Sequence, residues 1–390
     1  MLVAVSSKSD GCRPPSVSTQ TERVNPVSGR RRCMSEPFTL ATRSSALAVA
    51  QAEQIRSSLA TRRRDVELLR VETHGDRVRD ELITELGKTG AFVRAVDEQV
   101  LDGEADAAVH SMKDMPTEKP PELSVGGVPS RAPAGDVLVT PDGTSLDDLL
   151  VGATIGTGSL RRQAQLLANR PDLSVEPLRG NVDTRLQKLL APGLQAEHER
   201  RVAAQEGDTD ETFDQSPDEW FQQLTQLEQA ALERRPETAY DAIVLAEAGL
   251  RRSNLHGHVA FETERLPRSE FVPAPGQGAL AVTTATDEAR EAVSSAVDHP
   301  PTRVTTTVER TLLAELGGGC VAPIGVHALL QGEHVSVRVR VSSTDGDREI
   351  AESRDLPAER HAEAAREFAA ELRERGAAEL IDEARAEGGV

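Results

Sequence analysis

Cysteine, lysine and long apolar runs are scarce in this chain, and each shortage excludes something. The three cysteines, Cys12, Cys33 and Cys320, are too few and too scattered for a disulfide framework, which points to a reducing compartment. No stretch approaches the roughly 20 apolar residues that a membrane helix needs, so no membrane span is expected. Leu2-Val3-Ala4-Val5 is too short for a secretory core, and Arg30-Arg31-Arg32 leads into Cys33-Met34-Ser35-Glu36-Pro37 rather than an apolar segment, so export is not expected either. The nine histidines show no metal-ligand spacing, and no metal is expected. Lysine occurs only at Lys8, Lys88, Lys113, Lys119 and Lys188, so the remaining cations are arginine. A net charge of -19 over 390 residues repels nucleic acid. It fits a cytoplasm of very high salt, where screening makes like-charge repulsion tolerable; an ordinary acidic protein is the plainer alternative.

The length allows two or three domains. Residues 1–36, rich in Ser, Pro, Gly and Arg without apolar periodicity, read as a disordered extension, with Met34 an alternative start. From Phe38 the pattern is strand, turn, helix, repeated: Phe38-Thr39-Leu40-Ala41-Thr42, then a helix capped by Ser44 or Ser45, then Val66 to Val71, then a helix through Phe92, Val93, Val96, Val100 and Leu101, then Ala107 to His110. Such alternation predicts a parallel, doubly wound sheet. After a linker at Arg131-Ala132-Pro133-Ala134-Gly135 the pattern restarts. Strands are predicted at Ala153 to Thr157, Leu173 to Leu178 and Asp241 to Ala246, with Ser159 capping the intervening helix. Phe271 to Gly276 is a second stiff crossing. The expected organisation is a first domain of residues 37–131 with 279–297, a second of 136–272, and a third of 300–390 that mixes helices and strands. Residues 192–238, acidic and Gln-rich, read as a dispensable surface insertion in the second domain. Within it Trp220, Leu224, Leu227 and Ala231 would form one apolar helical stripe, docked on the surface or, alternatively, closing the cleft as a lid.

Arginines cluster at strand-to-helix turns: Arg43, then Arg161 and Arg162, then Arg179 and Arg185. Helix N-termini offer free N–H groups to anions, and a guanidinium adds a planar two-pronged donor that fits a carboxylate. Ligands of open α/β sheets bind at the carboxyl ends of the strands. A polyanionic ligand is therefore indicated, against the simpler reading that each arginine pairs with a surface acid. Asp114, in His110-Ser111-Met112-Lys113-Asp114, adds one carboxylate among these cations and must face a positive or N–H-bearing centre, unless it only pairs with Lys113. Cys320 lies on the glycine-rich run Gly317-Gly318-Gly319-Cys320, which suits either a nucleophilic, group-carrying thiol or a small buried hydrophobe.

Six stretches carry a resemblance. They are Ala41-Thr42-Arg43-Ser44-Ser45, Ala108 to Asp114, Gly156-Thr157-Gly158-Ser159-Leu160-Arg161-Arg162-Gln163, Leu178 to Leu186, Pro275-Gly276-Gln277-Gly278-Ala279, and Gly318 to Gly325. In this order they closely resemble the porphobilinogen deaminase (hydroxymethylbilane synthase) family, from Phe38 to the end apart from the insertion, and the composition suggests a halophilic archaeal source.

The resemblance implies two periplasmic-binding-protein-like (type II) α/β domains and a smaller α+β domain. It implies a transferase of tetrapyrrole, porphyrin and heme biosynthesis that condenses four porphobilinogens head to tail, with loss of ammonia, into linear hydroxymethylbilane. It also implies a dipyrromethane cofactor attached through Cys320 and held by Lys113, Ser159, Arg161, Arg162 and Arg185. Substrate and the growing oligopyrrole would contact Arg43, Ser45, Arg179, Arg252 and Gln277. Asp114 matches the catalytic aspartate, which stabilises the cation formed as ammonia leaves. A cytoplasmic monomer is expected. Two departures stand out: Thr89 precedes Gly90-Ala91-Phe92 where the family commonly has lysine, Lys88 lying one place earlier, and Gly158 replaces a frequent serine. A non-catalytic module of the same architecture that binds anionic ligands, and a thiol hydrolase using Cys320, are the alternatives.

Overall fold

The computed structural model describes residues 37–62, 64–72, 89–118, 120–318 and 322–387. The expectations for residues 1–36, for Lys88, for the Thr89 side chain and for Cys320 lie outside what it describes.

The first part of the chain forms β1 (Phe38–Arg43), α1 (Ala46–Leu59), β2 (Val66–Val71), α2 (Thr89–Leu101), β3 (Ala107–Ser111) and β4 (Ser124–Gly127). Ser45 caps α1 by accepting from the Ala48 amide at 3.4 Å. Leu40, Ala107 and Ala108 are fully buried, as strands covered on both faces require. The chain then crosses into β5 (Asp136–Thr140), β6 (Thr154–Thr157), α3 (Leu160–Asn169), β7 (Ser174–Pro177), α4 (Val182–Glu206), α5 (Pro217–Gln223), α6 (Gln226–Leu232), β8 (Ala242–Ala246), α7 (Glu247–Arg252) and β9 (Glu262–Arg265). It crosses back into β10 (Leu280–Thr284) and α8 (Asp287–Val297). Last come α9 (Pro300–Glu315), β11 (Ile324–Gln331), β12 (His334–Ser342), β13 (Glu349–Pro357), α10 (His361–Leu372) and α11 (Ala378–Glu387).

The first sheet has strand order β2-β1-β3-β10-β4 and the second β7-β6-β8-β5-β9. Both follow one pattern: three parallel strands ordered second, first, third, then a strand that arrives from a crossing, then an edge strand. This is the periplasmic-binding-protein-like, type II arrangement, used twice. The parallel, doubly wound core expected from the sequence is present in both sheets, each of which also holds two antiparallel strand pairings. β10 is antiparallel to β3 and β4, and β5 is antiparallel to β8 and β9, because each enters its sheet from the other domain's side. The two crossings touch. The Ala132 amide donates to the Gly278 carbonyl at 3.1 Å, and Gly278 sits at φ 82, where an added Cβ would lie 2.5 Å from the Ala132 oxygen. Only glycine allows that approach.

The third unit wraps the antiparallel sheet β11-β12-β13 around α9, α10 and α11, with Val308, Leu312, Val326, Val337, Val339 and Phe368 in one core. Glu309 of α9, fully buried, reaches the crossings. It accepts from both Arg131 Nη atoms at 2.7 and 3.0 Å, from the Gly276 amide at 2.7 Å and from the Ala328 amide at 2.8 Å.

The segment 192–238 differs from expectation. α4 runs without a break from Val182 through Pro192 to Glu206. The supposed single stripe is two helices, because Thr225 and Glu228 form a capping box that starts a new helix where α5 ends at Leu224. Leu227 and Ala231 are buried in the same cluster as Leu186, Leu189 and Tyr240, so α6 belongs to the domain core and not to a surface insertion. Nor is Trp220 part of a lid. It packs on the far half of α4, its ring 6.1 Å from that of His198 and 5.1 Å from the Arg201 guanidinium. At 1.5 Å per helical residue, Arg201 is about 24 Å along the axis from Arg185.

Candidate active site

The arginine-bearing turns all sit at the carboxyl ends of strands. Arg43 closes β1, Lys113 and Asp114 lie on a 3-10 turn (Met112–Asp114) after β3, Ser159 to Arg162 follow β6, and Arg179 to Arg185 follow β7. Beneath the Lys113–Asp114 turn, buried His110 lies 2.8 Å from Asp97 of α2 and 3.2 Å from Thr283 of β10, which anchors β3 on two sides. Ser159 occupies the N-cap position of α3, but its side chain makes no cap bond, contrary to its predicted capping role.

Arg161 and Arg162 are 4% and 5% exposed, and both bind one internal carboxylate. Asp136, the first residue of β5, accepts from Arg161 Nη2 at 2.8 Å and from Arg162 Nε and Nη2 at 3.0 and 2.7 Å. Burial alone would raise its pKa, yet the two guanidiniums hold it well below the usual carboxylate range. Gln277 completes the hub, donating to Asp136 at 2.9 Å and to the Ala134 carbonyl at 2.6 Å. At 1% exposure it is a component of the crossings and not a side chain facing an open cleft. Arg252 likewise donates one Nη to the Gly278 carbonyl at 2.7 Å.

Next to this hub the balance of charge is positive. Lys113 and Arg185 join Arg161 and Arg162, with Asp114 and Asp136 opposing them. Asp114 favours the Lys113 ammonium, but burial and the charges of Arg162 and Arg185 outweigh it, and the Lys113 pKa falls. Arg185, whose Nε donates to the Gly180 carbonyl at 2.8 Å, is pushed down to about 10 by burial and by Arg162, with Asp114 opposing. Arg161 Nε is buried without a hydrogen-bond partner. An unused buried donor beside an excess of cations is what a carboxylate-bearing group would satisfy. Asp114 is exposed at the edge of this cluster, where a ligand can reach it.

Gly158 fits tightly here, since a Cβ would meet the Leu178 carbonyl oxygen at 2.9 Å and Arg185 Nη2 at 3.5 Å. Among the described residues no group of His, Cys, Asp or Glu could hold a metal ion, and no helix is long and apolar enough to cross a membrane.

Comparison with known proteins fits this geometry. The family model for the dipyrromethane cofactor-binding domain of porphobilinogen deaminase matches residues 38–199 and 222–292, and that for the enzyme's C-terminal domain matches residues 304–374. This chain belongs to the porphobilinogen deaminase family. A probable porphobilinogen deaminase from Halobacterium salinarum is 51% identical, the match covering 90% of this chain and 99% of that protein. Another from Methanococcoides burtonii is 38% identical over 88% and 96% of the two chains. The porphobilinogen deaminase of Nitratidesulfovibrio vulgaris is 38% identical over 90% and 97%. Among solved structures, the apo ectoine-binding protein TeaA of a TRAP transporter aligns with a TM-score of 0.32 and 11% identity, over 90% of this chain and 98% of that one. The family match skips residues 200–221, so the segment extra to the family is about half the insertion read from composition.

Sequence reasoning missed Asp136 and Glu309. Their partners lie up to 141 and 178 residues away, so no local motif marks them.

Proposed function

We propose that this protein is a hydroxymethylbilane synthase that joins four porphobilinogens head to tail and releases ammonia at each addition. The observation that supports it best is one exposed carboxylate, Asp114, bordering buried and half-buried cations that outnumber their internal anions. A thioether-linked dipyrromethane at Cys320 would supply the primer carbon to which the first substrate is joined. Lys113, Ser159, Arg161, Arg162 and Arg185 would hold its acetate and propionate groups; the unpartnered Arg161 Nε and the depressed pKa values of Lys113 and Arg185 fit that task. Arg43, Ser45, Arg179 and Arg252 would meet the carboxylates of substrate and growing chain. Gln277 would act indirectly, by fixing the crossing.

As the substrate's C–N bond breaks, ammonia takes the electron pair and positive charge spreads over the ring N–H and methylene. A carboxylate placed beforehand at that charge stabilises the transition state more than the ground state. Asp114 holds that position by reason of its turn. We place the protein in the cytoplasm as a monomer that does not bind nucleic acid, consistent with its charge of -19.

Intact mass and turnover test the reading together. The purified chain is expected to carry the mass of two linked pyrroles and to consume porphobilinogen. Cys320→Ala is expected to fold without the added mass and without making tetrapyrrole. Normal activity and added mass in Cys320→Ala would overturn the assignment.

A further inference from the structure

The turn that carries Asp114 has little of its own to hold it. It is one 3-10 turn, Met112–Asp114, with the Met115 amide bonded to the Met112 carbonyl at 3.2 Å, and Ser111 at its N-cap makes no side-chain cap. A single turn of this kind does not fix its own geometry. Met112 and Met115 pack into a buried cluster with Ala279 and Ala281, and the Met112 amide donates to the Ala279 carbonyl at 3.0 Å, but the turn's own carbonyls are held from the third unit. Arg310 of α9 donates Nη1 to the Met112 carbonyl at 3.2 Å and to the Met115 carbonyl at 2.8 Å, and donates Nη2 to the Pro116 carbonyl. One rigid fork therefore grips the backbone on both sides of Asp114, almost 200 residues away in sequence. Gly276 also abuts this turn, where a Cβ would lie 3.0 Å from Met112 Cγ and 3.3 Å from the Lys113 amide nitrogen. In sequence Cys320 follows Arg310 by ten residues.

We propose that Arg310 is a positioning residue for Asp114, and that it ties the carboxylate's placement to the unit bearing Cys320. This rests on the proposed activity for its kinetic consequence, but its structural half stands apart from it. The planar guanidinium matches three carbonyls in a way that a single ammonium cannot. Misplacing a catalytic group by about 1 Å costs on the order of 100-fold in rate.

The test uses the full-length, cofactor-loaded protein, with loading checked by intact mass. Arg310→Ala is expected to lower kcat by about 10- to 100-fold while KM stays within about threefold. Arg310→Lys should fall between, and millimolar guanidinium should restore part of the Arg310→Ala rate. In an Asp114→Asn background Arg310→Ala should cost about threefold or less, because residues that act as a unit are not additive. Hydrogen exchange in a peptide covering residues 108–118 should rise in Arg310→Ala and rise less in Arg310→Lys. Unchanged exchange overturns the proposal whatever the activity. An equal rate loss with and without Asp114 also overturns it, as does a rate within threefold of wild type for both variants. If the wild-type protein makes no tetrapyrrole, the proposed activity fails while the exchange result still decides the role of Arg310. If Arg310→Ala does not fold, Arg310→Lys carries the same comparisons.

Discussion

Asp136→Asn is the substitution for which the structure makes the sharpest demand. Asp136 is 1% exposed and accepts from Arg161, Arg162 and Gln277, so losing its charge leaves two guanidiniums buried at 4% and 5% exposure without their counter-ion. Removing one member of such a buried set costs about 3–5 kcal/mol, because the remaining charges keep their desolvation penalty and lose their attraction. Asparagine still accepts at one oxygen, which places the expected loss toward the lower figure. The assay is equilibrium unfolding in urea, a neutral denaturant that leaves ionic strength free to vary, at roughly 0.5 M and roughly 3 M KCl. An exposed ion pair weakens with salt, whereas one out of contact with solvent ions is screened much less, so the loss should be similar in both. A triple replacement, Asp136→Leu with Arg161→Met and Arg162→Met, should recover most of the stability lost in Asp136→Asn, since an apolar set of similar volume has no charge to desolvate. A loss under about 1 kcal/mol, or one that at least halves in high salt, would refute the hub.

Asp114→Asn should leave folding and cofactor loading intact and reduce turnover by about 100-fold or more, the scale for removing a preorganised electrostatic group; steady-state kinetics at saturating porphobilinogen check it. His327, pushed down to about 3 by burial and by Arg131, Arg268 and Arg338, stays neutral in the folded state while its unfolded counterpart protonates below about 6.5. The unfolded chain then binds more protons, so stability falls as pH drops from about 6.5 toward 3. Between pH 7 and pH 4.5 this group accounts for about 2–3 kcal/mol of lost stability, which His327→Gln should remove from the difference in unfolding free energy between those two pH values. Replacing residues 200–221 by a short Gly-Ser link should keep both melting temperature and KM near wild type, whereas removing 195–236 also takes Leu227 and Ala231 from the core and should cost several kcal/mol. Calorimetry of the two deletions separates these outcomes.

The strands, their turns and the arginines on them were legible because each is a local pattern: apolar runs of strand length, a cap at Ser45, and cations placed where strands end. The break between α5 and α6 was legible too, in the spacing Ser216 to Glu219 and Thr225 to Glu228, but the apolar stripe was read through it. Sheet direction at β5 and β10 was not legible, since it depends on which domain the chain is leaving when it enters the sheet.

The harder lesson concerns the arginines themselves. A guanidinium at a strand end announces an anion without saying whose anion it is, and in a chain with 64 acidic residues the nearest one can be internal. For Arg161 and Arg162 much of the answer is Asp136, which had no local signature. The structure separates what the pattern merged. Cations already matched, as at Asp136 and Glu309, hold the crossings together. Lys113 and Arg185 are left short of negative charge: Asp114 supports each, but burial and the neighbouring guanidiniums outweigh it and disfavour their protonated forms in the free protein. A carboxylate-bearing ligand relieves that shortage only if it lies where those two side chains and the exposed Asp114 meet. The chemistry is therefore expected at that corner and not in the buried hub behind it.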